Sequence, residues 1–598
     1  MSGYNVLWVP GMDHAGIATQ VAVEKKLMRE NKVTRHDIGR QRFISQLWDW
    51  KNEHGGTILN QERRSKAVTE AFVRLYKEGL IYRDQRIVNW DCTLQTAISD
   101  AEILAERHIE RSLIMTMKFN LIFLSLSPIR LREIWITPAH DPNEFLVGKH
   151  HHLEFINIFT DDGKINSNGG AEFEGMPQFT ARMAVTEALR AKGLYRGAQK
   201  NEMKLGICSR SNDVVEQMLK SQWFVDCENI AKLALGAVVS DNNKKIEIIQ
   251  HQYEQELIRW LENICDWCIS RQLWWGHRVP AWYVTLENDQ FKDLGSYNDH
   301  WVVGRSEQEV VLEAKQMFAG KKFEIAQDPD VLDTWFSAGL LPLSVLGWPE
   351  VTPDFKAFYP TSLLQTGHDV LYLWVARMIM LGMKLGGDVP FRKVYLHPMI
   401  YDSHGQKMSK SKGNVIDPLD LINGISLEGL HKKLDTSNLD QSDLEKAKMD
   451  QNQLNKITLD VTRIVNYRQW CNELWYIVNF AMKSLGDDYS PHKFRSVESM
   501  PLICQWLLSI LNKAVRENAI KPYFENLSEL EYVREASRDT IWIYLDIGLR
   551  LLHPLMPFIT EELWQNLPRA KGIKKSIMIS EYPSVVEAWT NERIEEDL

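Results

Sequence analysis

The sequence predicts an α/β protein that ends in an all-helical bundle. Three observations carry this. A short apolar run, Val6-Leu7-Trp8-Val9, precedes a Pro/Gly-rich loop and then a helical pattern from Ile17 to Glu30. Further along, the apolar stretch Val370 to Leu385 lies between two strand-like segments, Ser362 to Leu364 and Val394 to Met399. Alternating strand and helix patterns of this kind read as α/β units. From about Leu459 to Pro568 the pattern is long amphipathic helices with no convincing strand.

The chain has 598 residues, 44% hydrophobic and 25% charged. Ordinary domain sizes predict roughly four domains from that length. The composition excludes disorder, collagen and a disulfide scaffold. A net charge of −9 excludes a basic nucleic-acid coat, although a local basic patch remains open. Seven cysteines without repeated spacing predict reduced thiols in a reducing compartment. Cys265 and Cys268 form one pair with no second ligand pair, so no zinc is expected, and both read as small apolar residues in a Trp-rich core. The first residues show no signal-peptide pattern. Val370 to Leu385 contains Arg377 and Lys384, which makes it a buried helix and not a membrane span.

The elements follow in order. Pro10 to Gly16 is a loop at the end of the first strand, where ligands sit in such sheets, and it carries Asp13 and His14. Residues 66 to 83 read as an amphipathic helix with Val68, Ala71, Phe72, Leu75 and Tyr76 on one face, and Arg86 to Trp90 as a strand. Residues 112 to 130 are apolar without clear alternation. Residues 131 to 200 read as short strands, loops and one helix, Phe179 to Lys192. Polar runs at 240–256 and 435–456 mark a boundary and a linker.

The sharpest chemical signal is Lys407-Met408-Ser409-Lys410-Ser411-Lys412-Gly413-Asn414, directly after a strand and a turn. Lysines alone are more often a solvated basic loop. The Met-Ser-Lys-Ser order and the position after a strand favour another reading. Ammonium groups on such a loop suit a triphosphate, because they stabilise charge moving from α-phosphate to pyrophosphate.

Lys407 to Ser411 resembles the KMSKS signature of class I aminoacyl-tRNA synthetases. The wording of several stretches is similar to the valyl-tRNA synthetase family in particular. These are Leu7 to Thr19, Ile136 to Asn143, Asp266 to His277, Leu332 to Ser337 and Leu552 to Phe558. The resemblance covers nearly the whole chain, in order. It implies a Rossmann-like parallel sheet with an incomplete N-terminal half, an inserted β-rich α+β editing domain and a helical anticodon-binding bundle. The implied boundaries are 1–103 and 256–425 for the two catalytic parts, 104–255 for a shortened insert, 426–457 for a linker and 458–598 for the bundle.

The implied activity is ligation of valine to tRNA(Val) with ATP, through valyl-adenylate, with editing of threonyl-tRNA(Val). Lys407 and Lys410 would stabilise the departing pyrophosphate. Gly367, Asp369, Lys407, Ser409 and Lys410 would bind ATP, whose Mg2+ is substrate-bound. Asp13 would pair with the valine ammonium, and Pro10, Trp335, Val370 and Trp374 would wall a small apolar pocket. Such a pocket rejects isoleucine by bulk but threonine poorly, since a hydroxyl fills the volume of a methyl. Hence a second site, with His140, Asp141 and Glu144 on one wall and Asp141 binding the substrate ammonium. An Asp-Pro-Asn turn is the plainer reading of that segment.

The family's His-Ile-Gly-His type signature and its Thr-Thr-Arg-Pro-Glu-Thr stretch are not among these residues, and blocks are expected to be missing after Arg64 and near 450. The alternative reading is therefore a non-catalytic synthetase-like remnant that still holds tRNA. A monomer without membrane attachment is expected, cytoplasmic, with an organellar copy compatible. Trp470 and Trp475 on the bundle read first as buried packing and second as tRNA-stacking rings.

Overall fold

Strand Phe391–His397 buries Phe391, Val394 and Leu396 and exposes Arg392, Lys393 and Tyr395. It is the middle of a parallel sheet, with Thr361–Gly367 on one side and Glu247–Ile248 on the other. The crossover between the two longer strands runs through helix Ala376–Gly386, as parallel pairing demands. Residues Ala376 to Gly382 of that helix are all buried. Gly387, in the left-handed conformation (φ 79°), ends it. In a computed structural model of the chain, the described residues are 16–55, 61–99, 103–108, 113–117, 136–200, 204–239 except 212, 244–399 except 296, 470–486, 489–491, 497–517, 538–568 and 576–597, with 6, 7 and 9 before them. The chain divides into two units, Val9–Tyr401 and Asp402–Leu598 with Met1–Trp8.

In the first unit, helix Gln61–Lys77 buries Ala67, Val68, Ala71, Phe72 and Leu75 in the same core as the parallel sheet. The expected helix over 66–83 is corrected at its end. Gly79 takes φ 75°, the Leu80 amide donates to the Leu75 carbonyl at 2.9 Å, and strand Ile81–Asp91 follows. A glycine after the last turn closes the helix in this way because it carries no Cβ to clash. A Cβ at Gly79 would meet nothing within 4 Å, so the cost of Gly79→Ala is purely conformational. We expect a destabilisation of about 1 kcal/mol, measured by urea unfolding.

Strand Ile81–Asp91 pairs antiparallel along its whole length with Val215–Val225, from Ile81 opposite Val225 to Asp91 opposite Val215. The segment between them therefore leaves and returns at one end of a long ribbon. Its described strands also pair with each other, Ile103–His108 with Lys204–Cys208 and Leu113–Met117 with Tyr195–Lys200. Most of the apolar run 112–130 lies outside the described residues. Two helices occur where one was expected, because Asp141-Pro142 starts helix Pro142–His151 ahead of Gln178–Ala191. Residues 228–239 and 244–255, grouped with the insert in the sequence, border the core of the parallel sheet. Helix Glu228–Val239 and strand Glu247–Ile248 place Ile230, Ala234, Val238 and Ile248 in the core of the parallel sheet. Cys265 is exposed, which corrects its placement as a core residue, whereas half-buried Cys268 packs against a core cluster that includes Trp90 and Phe224.

The second unit is helical among its described residues. Helices Leu502–Glu517, Arg538–Leu552 and Pro557–Gln565, with helical residues 470–485, share one apolar core that includes Leu474, Val478, Leu507, Leu511, Leu545 and Leu563. Trp470 packs against this core, but Trp475 is 39% exposed, so buried packing does not account for it. Trp475 follows Leu474, which the core takes, and one step along a helix turns the side chain out. No helix of the described residues is long and apolar enough to cross a membrane.

Candidate active site

The parallel pair Thr361–Gly367 and Phe391–His397 ends in register, with Gly367 opposite His397. Both segments singled out for nucleotide chemistry continue from these two strand ends. Gly367-His368-Asp369 turns directly into the helical segment His368–Val370. Beyond His397 the chain runs on toward Lys407, Ser409 and Lys410, which lie outside the described residues. Ligands of open α/β sheets sit at such strand ends. Gly367 has ordinary backbone angles (φ −70°), so no conformational demand fixes glycine there. A Cβ there would come within 2.6 Å of both Asp369 Oδ1 and Met399 Sδ, so these two flexible side-chain ends would have to shift.

The surroundings are held by groups the sequence did not single out. The His368 ring stacks on Tyr253 at 5.7 Å. Gln250 clamps the end of the neighbouring strand: its Nε2 donates to the Leu396 carbonyl at 2.8 Å, and its Oε1 accepts from the Leu396 amide at 3.2 Å. A glutamine preceding a helix carries no sequence signal for such a role.

The expected helix over 370–385 is built in three steps. His368–Val370 is a 3-10 turn, Leu371–Val375 a π-helical turn, and only Ala376–Gly386 is α-helical. A π turn is rare and recurs at functional sites, where it displaces side chains from ideal spacing. Val370 and Trp374 are both half-buried on this irregular stretch. Trp335 is half-buried on helix Thr334–Gly339. The Trp374 indole donates to the Ala338 carbonyl of that helix at 2.9 Å. Three of the expected pocket residues thus lie on two elements tied together. Pro10 and Asp13 lie outside the described residues. The helix that follows them, Gly16–Asn31, is fixed by buried Gln20, whose Oε1 accepts from the Trp274 and Trp275 amides at 2.9 and 3.2 Å.

The buried pair behind helix Thr334–Gly339 was also not legible. Asp333 precedes the helix but does not cap it with its side chain. Its Oδ2 instead accepts from the Trp267 indole at 3.0 Å and pairs with Arg271 at 3.4 Å. The Arg271 and Asp333 side chains are 3% and 6% exposed. Nearby, burial and then the Asp328 carboxylate push the Asp330 carboxyl above its usual range.

The three expected editing residues occupy one turn. Asp141 caps helix Pro142–His151, its Oδ1 accepting from the Asn143 and Glu144 amides at 2.8 and 3.0 Å. This agrees with the Asp-Pro-Asn turn and spends one carboxylate oxygen on the cap. Glu144 accepts from the Thr137 hydroxyl at 2.6 Å and from the Thr137 amide, closing the loop back on itself. His140 lies between the Gln217 carbonyl (3.2 Å) and the Ile158 amide (3.3 Å), edge-on to Phe159. Burial lowers its pKa. The neutral ring suits this setting, since one nitrogen must accept from Ile158 while the other donates to Gln217.

Among the described residues there is no group of three or more His, Cys, Asp or Glu side chains that could hold a metal.

The chain matches the model for class I tRNA synthetases (I, L, M and V) over residues 1–65 and 59–465. It matches the anticodon-binding domain of tRNA ligases over 512–598. The break in the first match falls where a block was expected to be missing after Arg64. The valine–tRNA ligase "mitochondrial 1" of Arabidopsis thaliana is 51% identical over 741 aligned positions, covering 100% of this chain and 67% of that protein. The human valine–tRNA ligase is 39% identical, covering 100% of this chain and 58% of that protein. The chain thus spans about two thirds or less of the length of these two relatives. Among solved structures, LeuRS of Agrobacterium radiobacter in ternary complex with tRNA and LeuAMS superimposes with TM-score 0.50 at 13% identity, covering 98% of this chain and 86% of that one. That likeness speaks to fold alone, the class I synthetase fold. The chain belongs to the class I tRNA synthetases, and within them to the valine–tRNA ligases.

Proposed function

We propose that this chain condenses valine with ATP and passes the valyl group to tRNA(Val). The observation that supports this reading is the register of Gly367 against His397, which ends two parallel strands side by side where Gly367-His368-Asp369 turns into a helical segment. A valine carboxylate oxygen attacks the α-phosphate, the bond to pyrophosphate breaks, and valyl-adenylate forms. A hydroxyl at the tRNA 3′ end then attacks the carbonyl carbon, and AMP leaves. Neither step needs a side-chain nucleophile. Positioning and charge stabilisation supply most of the rate. Asp13 holds the valine ammonium, and Pro10, Trp335, Val370 and Trp374 enclose its side chain. Gly367 and Asp369 receive the ribose and adenine, and Lys407, Ser409 and Lys410 the phosphates.

The named relatives that align over the whole chain are ligases, which favours catalysis over a remnant that merely holds tRNA. The exposed rings of Trp475, Tyr476 and Phe480 offer faces on which tRNA bases could stack. The protein works as a monomer, in a compartment that keeps its seven cysteines reduced. Valine-dependent exchange of labelled pyrophosphate into ATP, followed by charging of tRNA(Val), tests the reading. Absence of exchange together with retained tRNA binding would instead favour the remnant.

Editing of threonyl-tRNA(Val) belongs to the insert, through Asp141. Asparagine caps a helix as well as aspartate but carries no charge. Asp141→Asn should therefore keep the thermal midpoint while slowing deacylation of threonyl-tRNA(Val) by about 10–100-fold, the value of a charge-assisted contact. Unchanged deacylation would reduce Asp141 to a cap.

A further inference from the structure

We propose that Arg377 is a positioning residue that sets the size selectivity of the amino-acid pocket from behind its walls. The inference rests on the valine-activating reading. Arg377 is buried, on the first turn of helix Ala376–Gly386. Its guanidinium carbon lies 4.0 Å from the centre of the Trp267 ring and 5.2 Å from that of Trp260. One of its nitrogens approaches the Cys227 sulfur at 3.7 Å. A guanidinium between indole faces is held by the ring quadrupoles, and desolvation strengthens that hold.

Each ring passes the position on to a different wall. The Trp267 indole N–H donates to Asp333, the residue directly before helix Thr334–Gly339 and its Trp335. Since the Asp333 carboxylate does not cap that helix, its orientation is set by Trp267 and Arg271 alone among the contacts described. Trp260 stacks on Tyr372 at 5.7 Å, within the π turn that carries Trp374. Tyr372 is anchored in turn by its hydroxyl on Glu256 at 3.1 Å. The two helices meet closely at Gly339, where a Cβ would stand 3.0 Å from Leu381 and 3.3 Å from the Arg377 Cβ. One buried cation therefore registers both wall-bearing elements against each other without being among the pocket's own residues. A pocket that excludes one extra methylene depends on wall spacing to a fraction of an ångström.

The test uses the full chain and three variants, Arg377→Met, Arg377→Lys and Trp267→Phe. Valine and isoleucine binding are measured by calorimetry, and pyrophosphate exchange is measured beside them. Arg377→Met keeps the length of the side chain and removes the charge. It should lower the preference for valine over isoleucine by about tenfold, most of it as a higher KM for valine, with kcat and the KM for ATP within about threefold. Arg377→Lys retains a cation on the rings and should restore most of the preference. Trp267→Phe keeps a ring for Arg377 but loses the bond to Asp333, and should reproduce the loss of preference. An unchanged valine-to-isoleucine ratio in Arg377→Met would overturn the proposal, as would a uniform fall in kcat that lysine does not rescue. A normal ratio in Trp267→Phe alone would overturn the route through Asp333. If the unaltered chain binds valine but exchanges no pyrophosphate, the catalytic reading fails while the binding ratios still decide this one. If it binds no valine, both fail.

Discussion

Replacing Lys407 and Lys410 together by glutamine should reduce valine-dependent pyrophosphate exchange by about 10³-fold or more. One preorganised donor to developing charge is typically worth about 10²–10³ in rate. Two acting on the same departing pyrophosphate approach the product of their effects, short of it because they act together. Valine binding should be unaffected, since the pocket proposed above for the amino acid (Pro10, Asp13, Trp335, Val370 and Trp374) includes neither lysine. Calorimetry with valine alone is therefore the internal control. Exchange at the unaltered rate would remove the nucleotide role from this loop and with it the reading of the sheet end as an ATP site.

The second large effect is on stability. Arg271→Met leaves the Asp333 carboxylate buried with the Trp267 indole and without its cation. Arg271 also donates to the Cys268 and Ser270 carbonyls at 3.0 and 2.9 Å, which would lose a partner. Breaking a buried pair by removing one member costs about 3–5 kcal/mol. The double variant Arg271→Met with Asp333→Asn removes the uncompensated charge and should recover much of that loss. Chemical denaturation of the single and double variants measures both. If the single change proves as mild as an exposed ion pair, about 0–1 kcal/mol, the pair is not what holds helix Thr334–Gly339 in place.

The order of the elements was legible in the chain. Helix periodicity marked Gly16–Asn31, Gln178–Ala191 and the helical unit after 470, and the apolar runs marked the strands on either side of Ala376–Gly386. These signals are local, since each depends on side chains within two turns or one strand length. Element ends were less legible. The helix placed at 66–83 stops at Lys77 because Gly79 adopts a conformation that a hydrophobic pattern cannot register. The Asp-Pro-Asn stretch was legible as a turn, yet the helix it opens was not, as helix Pro142–His151 has little apolar patterning of its own.

The lysines and serines of Lys407 to Ser411 after a strand suggested phosphate chemistry by themselves, and the resemblance to the synthetase family supplied the roles expected of Gly367, Asp369 and Asp13. Such motifs are readable because groups that bind phosphate or an ammonium are few and their types are constrained by what they must bind. Residues that aim those groups could not be read in the same way. Gln20, Gln250, Arg271, Asp333 and Arg377 act through partners distant in the sequence, such as Trp274 for Gln20 and Leu396 for Gln250. A glutamine or arginine in a helix looks like a solvated side chain until folding buries it. Burial then makes its hydrogen bonds obligatory, and so chain-distant packing settled which polar residues hold the site.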